Sequence, residues 1–276
     1  MIQRIAILFL GLAAGFATSA QESISSINSD RPGQTFSSTV VSPGALTLQF
    51  GIETYWTGAS NYYMHTNPIQ FRYGLIKNLE LNASFTRNFI HELGLDNDFD
   101  IGARYQLLDL EKVHLNILAG YGTSVVPKLN DNVSTVRFLF NFGIDAGQVS
   151  FGTSTGVMIL EASGQYESGS TIYSTLNLAY NPNPRFSVFV DFQLVNFQQF
   201  NSGPYESPNI TSFFESDMLQ LGMSYQVWKP LRFDLNIGTD GWSQEYSFGP
   251  AISDPIKASI VHTSMGLTWR ILAPKD

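Results

Sequence analysis

The densest run of titratable side chains is His91-Glu92, with Asp96, Asp98 and Asp100 close behind. A histidine beside carboxylates is the arrangement that activates water or a hydroxyl in hydrolases. Alternating carboxylates also suit a hard cation such as Ca²⁺. Neither site is complete. In a calcium loop begun at Asp96 the sixth position, where such loops need glycine, is Ile101. A nucleophile–histidine–acid set needs a histidine in hydrogen-bond reach of the nucleophile. Of the four histidines, His114 and His262 fall on inward-facing positions of expected strands, while His65 and His91 lie near loops. The chain has no cysteine, which removes thiolate chemistry, Cys-ligated metals and disulfides. No Gly-rich phosphate loop, zinc spacing or nucleotide motif appears. No catalytic, metal or cofactor residue is therefore assigned. The chain is expected not to be an enzyme, and a hydrolase is kept as the lowest-ranked alternative.

The remaining charges follow a period of two. In Leu231-Arg232-Phe233-Asp234-Leu235-Asn236-Ile237, the apolar residues share one face of a strand and the polar residues the other. Leu79-Glu80-Leu81-Asn82-Ala83-Ser84-Phe85 repeats the pattern. The alternation predicts twelve strands, at about 45–56, 67–76, 78–87, 98–108, 112–122, 134–145, 148–159, 171–181, 185–195, 217–227, 230–239 and 259–272. Short turn-like connectors such as Asn181-Pro182-Asn183-Pro184 alternate with long polar stretches, the longest at 196–216 and 240–258. That rhythm, with an even strand count, is the pattern of an all-β, transmembrane, antiparallel up-and-down β-barrel with short periplasmic turns and long external loops.

The two faces tell lipid from water. Arg72, Glu80, Asp100, Arg104, His114, Arg137, Asp191, Arg232 and Asp234 all lie on the polar face. An Arg or Lys facing hydrocarbon at the midplane costs roughly 2–4 kcal/mol, so this row must line the lumen, as an internal salt-bridged network. Tyr73, Tyr105, Tyr180, Tyr225 and Trp269 lie on the apolar face just before the expected periplasmic ends, as an interfacial girdle would.

The chain starts like an exported one. Arg4 precedes the apolar stretch from Ile5 to Phe16, and Thr18-Ser19-Ala20 offers a cleavage site. The expected division is a cleaved signal peptide at 1–20, a periplasmic leader or lumen plug at 21–44 and the barrel at 45–276. Sec export to a Gram-negative outer membrane follows, and the expected partners are outer-membrane lipid, lipopolysaccharide and the barrel-assembly machinery. The net charge is −8 with no basic run, which argues against nucleic acid as a partner. The mean hydropathy is close to zero because lipid-facing and water-facing residues cancel.

The leader carries a motif. Asp30-Arg31-Pro32-Gly33-Gln34-Thr35, then Val40-Val41-Ser42-Pro43-Gly44 and Leu46-Thr47-Leu48-Gln49-Phe50-Gly51, resembles the start of the meta-pathway of phenol degradation family, a set of transporter-like outer-membrane β-barrel proteins. Phe71-Arg72-Tyr73-Gly74-Leu75 and Leu79-Glu80-Leu81 resemble the family's second-strand turn. The resemblance is sharpest over residues 29–85. It implies passage of aromatic compounds across the outer membrane and supplies no binding residues. The last strand, with Ser264, Gly266, Trp269 and Ile271, resembles the C-terminal assembly signal of such barrels, although Leu272 to Asp276 follow it.

Two regions are candidates for function. Asp30, Arg31 and Pro32 belong to a polar, non-periodic segment that could fold back as a plug or trail as a periplasmic tail. Trp56, Tyr62, Tyr63, Phe197, Phe200, Phe213, Phe214 and Trp242 crowd the external loops. They could form an aromatic vestibule for an apolar solute, or an outer-leaflet girdle with loop packing. Inward Leu118, Leu139, Tyr173 and Phe189 could form an apolar strip or pack against the leader. The expected function is passive passage of small aromatic or hydrophobic solutes. The alternative is a sealed structural or surface-binding barrel.

Overall fold

The computed structural model describes residues 30, 35–57, 63–90, 94–126, 131–163, 169–199, 218–239, 244–246, 256–258 and 260–273. The strands are β1 (Leu46–Thr57), β2 (Tyr63–Ile76), β3 (Leu79–Ile90), β4 (Gly94–Asp109), β5 (Val113–Val126), β6 (Asp131–Ala146), β7 (Val149–Ser163), β8 (Gly169–Asn183), β9 (Phe186–Gln199), β10 (Met218–Trp228), β11 (Leu231–Thr239), β12 (Gln244–Tyr246), β13 (Ile256–Ala258) and β14 (Ile260–Leu272). Each of the twelve long strands pairs antiparallel with its neighbours, and β1 pairs with β14 to close the barrel. Closure leaves no unpaired strand edge, which a sheet in hydrocarbon cannot tolerate. The expected signal peptide, 1–20, lies outside the described residues.

Several strands run further at their external ends than the alternation predicts. β2 starts at Tyr63 rather than 67, β4 at Gly94 rather than 98, and β6 at Asp131 rather than 134. The added pairs include Thr66↔Asn88, Asn88↔Asp96 and Asn97↔Val125, polar on one or both sides. Above the apolar band both faces meet polar surroundings, so the ladder continues while the period-two contrast that marks it fades. The β12–β13 hairpin in the sixth connector is an addition to the expected strands.

The barrel is polar inside and greasy outside. Phe85, Ile101, Phe140, Leu176, Leu221 and Met265 are exposed on the outer face, whereas Asn116, Asn141, Ser154, Gln220 and Thr268 are buried. Tyr105, Tyr180 and Trp269 are exposed on the outer face near the periplasmic ends, and Tyr73 and Tyr225 share that face half-buried.

The chain enters β1 from inside the bore. Gly44 takes φ 75°, a left-handed conformation that glycine adopts without steric penalty. Its N–H donates to the Gly74 carbonyl at 2.7 Å, and Gly74 N–H returns to Ala45 at 3.0 Å. A Cβ on Gly74 would run into the Ser42 carbonyl, so only glycine lets the leader backbone cross β2 at this point.

Candidate functional site: the leader inside the lumen

Residues 35–43 form no strand, yet their backbone groups are met by side chains from the barrel's inner face. Thr35 N–H donates to Asp191 at 3.0 Å, and Thr35 Oγ1 lies 2.9 Å from both Asp191 Oδ1 and Thr175 Oγ1. Phe36 N–H donates to Ser154 Oγ at 2.9 Å. The Ser37 carbonyl accepts from Asn116 at 2.9 Å, and Asn141 in turn donates to Asn116 at 2.7 Å. Gln106 spends both ends of its amide on the leader, donating to the Ser38 carbonyl at 3.0 Å and accepting from Val40 N–H at 2.9 Å. Glu80 accepts from Val41 N–H at 2.8 Å. A buried backbone without secondary structure needs such partners for each N–H and C=O. The inner wall supplies them from six strands, β3, β4, β5, β7 and β9 for the groups above and β2, whose Arg72 Nη2 donates to the Thr39 carbonyl at 3.4 Å.

Two anchors hold this segment. The first is ionic. Arg72 grips Glu80 through two parallel hydrogen bonds, Nε and Nη2 each donating at 2.7 Å. Arg104 Nη2 donates to both oxygens of Asp30 at 3.0 Å. Arg72 Nη1 lies 3.4 Å from Asp30, and Arg104 Nη1 lies 3.7 Å from Glu80. The four groups thus form a closed quartet of two cations and two anions. The barrel contributes two guanidiniums and one carboxylate, and the leader brings the second carboxylate. Burial pushes the Asp30 carboxyl up, but Arg104, Arg72 and the Ser37 N–H outweigh it and hold the group at about 2.

The second anchor is apolar. Phe36 packs on the buried cluster of Leu118, Leu139 and Tyr173, with Met158 beside it. Its ring lies 6.2 Å from that of Tyr173, and the Arg137 guanidinium sits 5.9 Å over it, a cation–π distance. Arg137 also pairs with Asp100. Asp98 accepts from Asn88 at 2.6 Å and from Ser124.

The expected lumen residues share the inner face but not one site. Arg72, Glu80 and Arg104 form the quartet, Arg137 and Asp100 pair higher up, and Asp191 holds Thr35. Asp234 is buried on the inner face of β11, and Arg232 on the same strand donates to Ser224. His114 keeps the inward parity of the row and sits at its periplasmic rim, 2.8 Å from Asp109 and 3.4 Å from Asp145, whose side chains are largely exposed.

Two vestibule residues are corrected. Trp56 pairs with Val261 and is exposed on the outer face, and Tyr63 stands on the same face with rings at 5.1 Å (His65) and 6.2 Å (Phe89). Strand parity turns both away from the mouth, so they join the outer girdle. Tyr62, Phe200, Phe213, Phe214 and Trp242 lie outside the described residues, as do the side chain of Phe197, Arg31, Pro32, and His91 and Glu92 of the acidic run.

Gln106, Asn116, Ser154, Thr175 and Phe36 were not singled out from the sequence. Their inward parity is readable, but their partner segment has no period from which to infer contacts. One signal was available. On the adjoining strands β2, β3 and β4 the periplasmic half of the inner row holds Arg72 and Arg104 against Glu80 alone, and that local imbalance points to a carboxylate from elsewhere.

A closed, lipid-facing antiparallel barrel of twelve strands with a polar interior is an outer-membrane β-barrel. Two solved structures of that class are similar to this chain. The COG4313 outer membrane channel from Pseudomonas putida F1 matches with a TM-score of 0.54 at 11% identity, covering 87% of this chain and 99% of that one. The NanC porin matches with a TM-score of 0.53 at 11% identity, covering 80% of this chain and 100% of that one. No protein-family model matches the chain, and no curated protein matches it in sequence.

Proposed function

We propose that the chain is an outer-membrane channel for passive passage of small solutes, aromatic or hydrophobic ones among them, with its own leader lodged in the bore at rest. The observation that carries this reading is the leader itself. Residues 35–41, which form no strand, are held in the lumen of a closed barrel by side chains of the wall, and such contacts can be exchanged without breaking it. Twelve strands lie between eight, which leave a lumen filled by side chains, and sixteen, which leave an open aqueous channel. The resemblance to the phenol degradation family and the likeness to a porin and a channel support the same reading. The apolar patch of Leu118, Leu139 and Tyr173, set in a polar lumen, suits a solute with an apolar body. Export through the Sec pathway, assembly by the barrel-assembly machinery and contact with lipopolysaccharide belong to the same proposal.

The density of leader contacts favours a second reading, a sealed barrel with a structural or surface-binding role. Liposome swelling with phenol, benzyl alcohol and small sugars separates the two. A channel gives swelling with at least one of these solutes, and protein-free rates with all of them would leave only the sealed barrel.

A further inference from the structure

The ionic anchor is imperfectly filled, and that points to what else it binds. Arg104 uses one nitrogen, Nη2, for both oxygens of Asp30. Among the described residues its buried Nε and Nη1 have no hydrogen-bond partner, Nη1 lying 3.7 Å from Glu80. A guanidinium binds a carboxylate best side-on, with two parallel N–H···O bonds, as Arg72 binds Glu80 in this same cluster. Asp30 is tethered to the leader, whereas an untethered carboxylate can turn to use the idle donors. The charge count agrees. Among the described residues of the quartet, withdrawing Asp30 leaves Arg72 and Arg104 against Glu80, one positive charge in excess.

The apolar anchor adjoins it. Ser37 N–H donates to Asp30 at 2.9 Å, so the carboxylate sits against the backbone next to Phe36. The Phe36 ring lies on Leu118, Leu139 and Tyr173. The leader therefore delivers a carboxylate and a phenyl ring to the lumen as one folded unit.

We propose that the Arg72–Arg104 pair is a carboxylate receptor occupied by Asp30 when cargo is absent, and that the cargo is a small aromatic acid whose ring takes the place of Phe36. Such an acid competes with the leader, so its arrival releases the segment that fills the bore. The proposal rests on the channel reading for its purpose, though its binding step can be tested without transport.

The test is calorimetric titration of the full mature chain in detergent with benzoate, its neutral analogue benzamide, and acetate. The wild type is compared with Asp30→Asn, a leader substitution that leaves every strand intact. Removing the competing carboxylate should raise apparent benzoate affinity by at least about tenfold, because the receptor no longer has to be vacated. Benzamide should gain nothing, acetate should bind more weakly than benzoate, and adding Arg104→Gln should abolish the gain. Heat-modifiable gel mobility checks folding of each variant. Equal benzoate affinity with and without Asp30, or benzamide following benzoate, would overturn the proposal. Conductance of the same samples separates the two readings. Benzoate binding without conductance supports the receptor and fails the channel, while conductance with no preference for benzoate fails the receptor and leaves the channel.

Discussion

The outer and inner faces of the same barrel wall are made by alternate residues of the same strands, yet they are built on opposite principles. Along β8, Ile172, Leu176 and Leu178 face out, while Thr171, Tyr173 and Thr175 face in. Outward residues meet lipid, which is fluid and chemically uniform, so any apolar side chain of suitable size serves. The inward residues around the leader meet one defined segment of their own chain and hold particular partners in it: Thr175 has Thr35, Ser154 has the Phe36 amide, and Glu80 has Val41 besides Arg72. The outer face is thus specified by class and the inner face by identity.

Substitutions that break this contrast should rank accordingly. Glu80→Ala has the largest expected effect. It leaves two buried guanidiniums facing the Asp30 carboxylate alone, and removing one partner of a buried ion pair costs about 3–5 kcal/mol. Chemical unfolding in lipid vesicles measures it, and a change within error would mean the quartet is solvated. Leu176→Arg, near the middle of the outer face, should cost roughly 2–4 kcal/mol in the same assay. An effect near zero there would put the residue away from hydrocarbon.

Phe36→Ala should weaken leader docking by about 2 kcal/mol while leaving barrel unfolding unchanged. Faster proteolysis of the leader in a folded barrel would report it. Acid should act on the same docking through Asp30. Its folded pKa of about 2 lies below the ordinary 3.8, so the contribution is complete above roughly pH 5 and is lost as the pH falls through 2. Leader protection should therefore stay flat from neutral pH to about pH 5 and fall below pH 4. Loss of protection nearer pH 6 would implicate another group. The smallest effect belongs to Leu221→Ile on the outer face, expected within about 0.5 kcal/mol of wild type.

The same contrast explains what could be read from the sequence. The period-two alternation in Leu231 to Ile237 sets which side chains face out, and the strand order follows from connector lengths, so the barrel was legible almost to its ends. The ends themselves were not, because pairs such as Thr66↔Asn88 carry no apolar signal. The lumen row was legible as a row, since charges cannot face lipid. Its partners were not. Asp30 meets Arg104 across 74 positions of sequence, and Thr35 meets Asp191 across 156, with no periodic pattern in the leader to announce either contact. Only the unequal charge around Arg72, Arg104 and Glu80 pointed there.

Single-channel recording in planar bilayers addresses the leader most directly. The mature chain and a variant lacking residues 22–40 would be compared side by side. A leader lodged in the bore of a channel predicts small or rare openings for the intact chain and a clearly larger, stable conductance after deletion. Identical conductance in both, or none in either from correctly folded barrels, would contradict it.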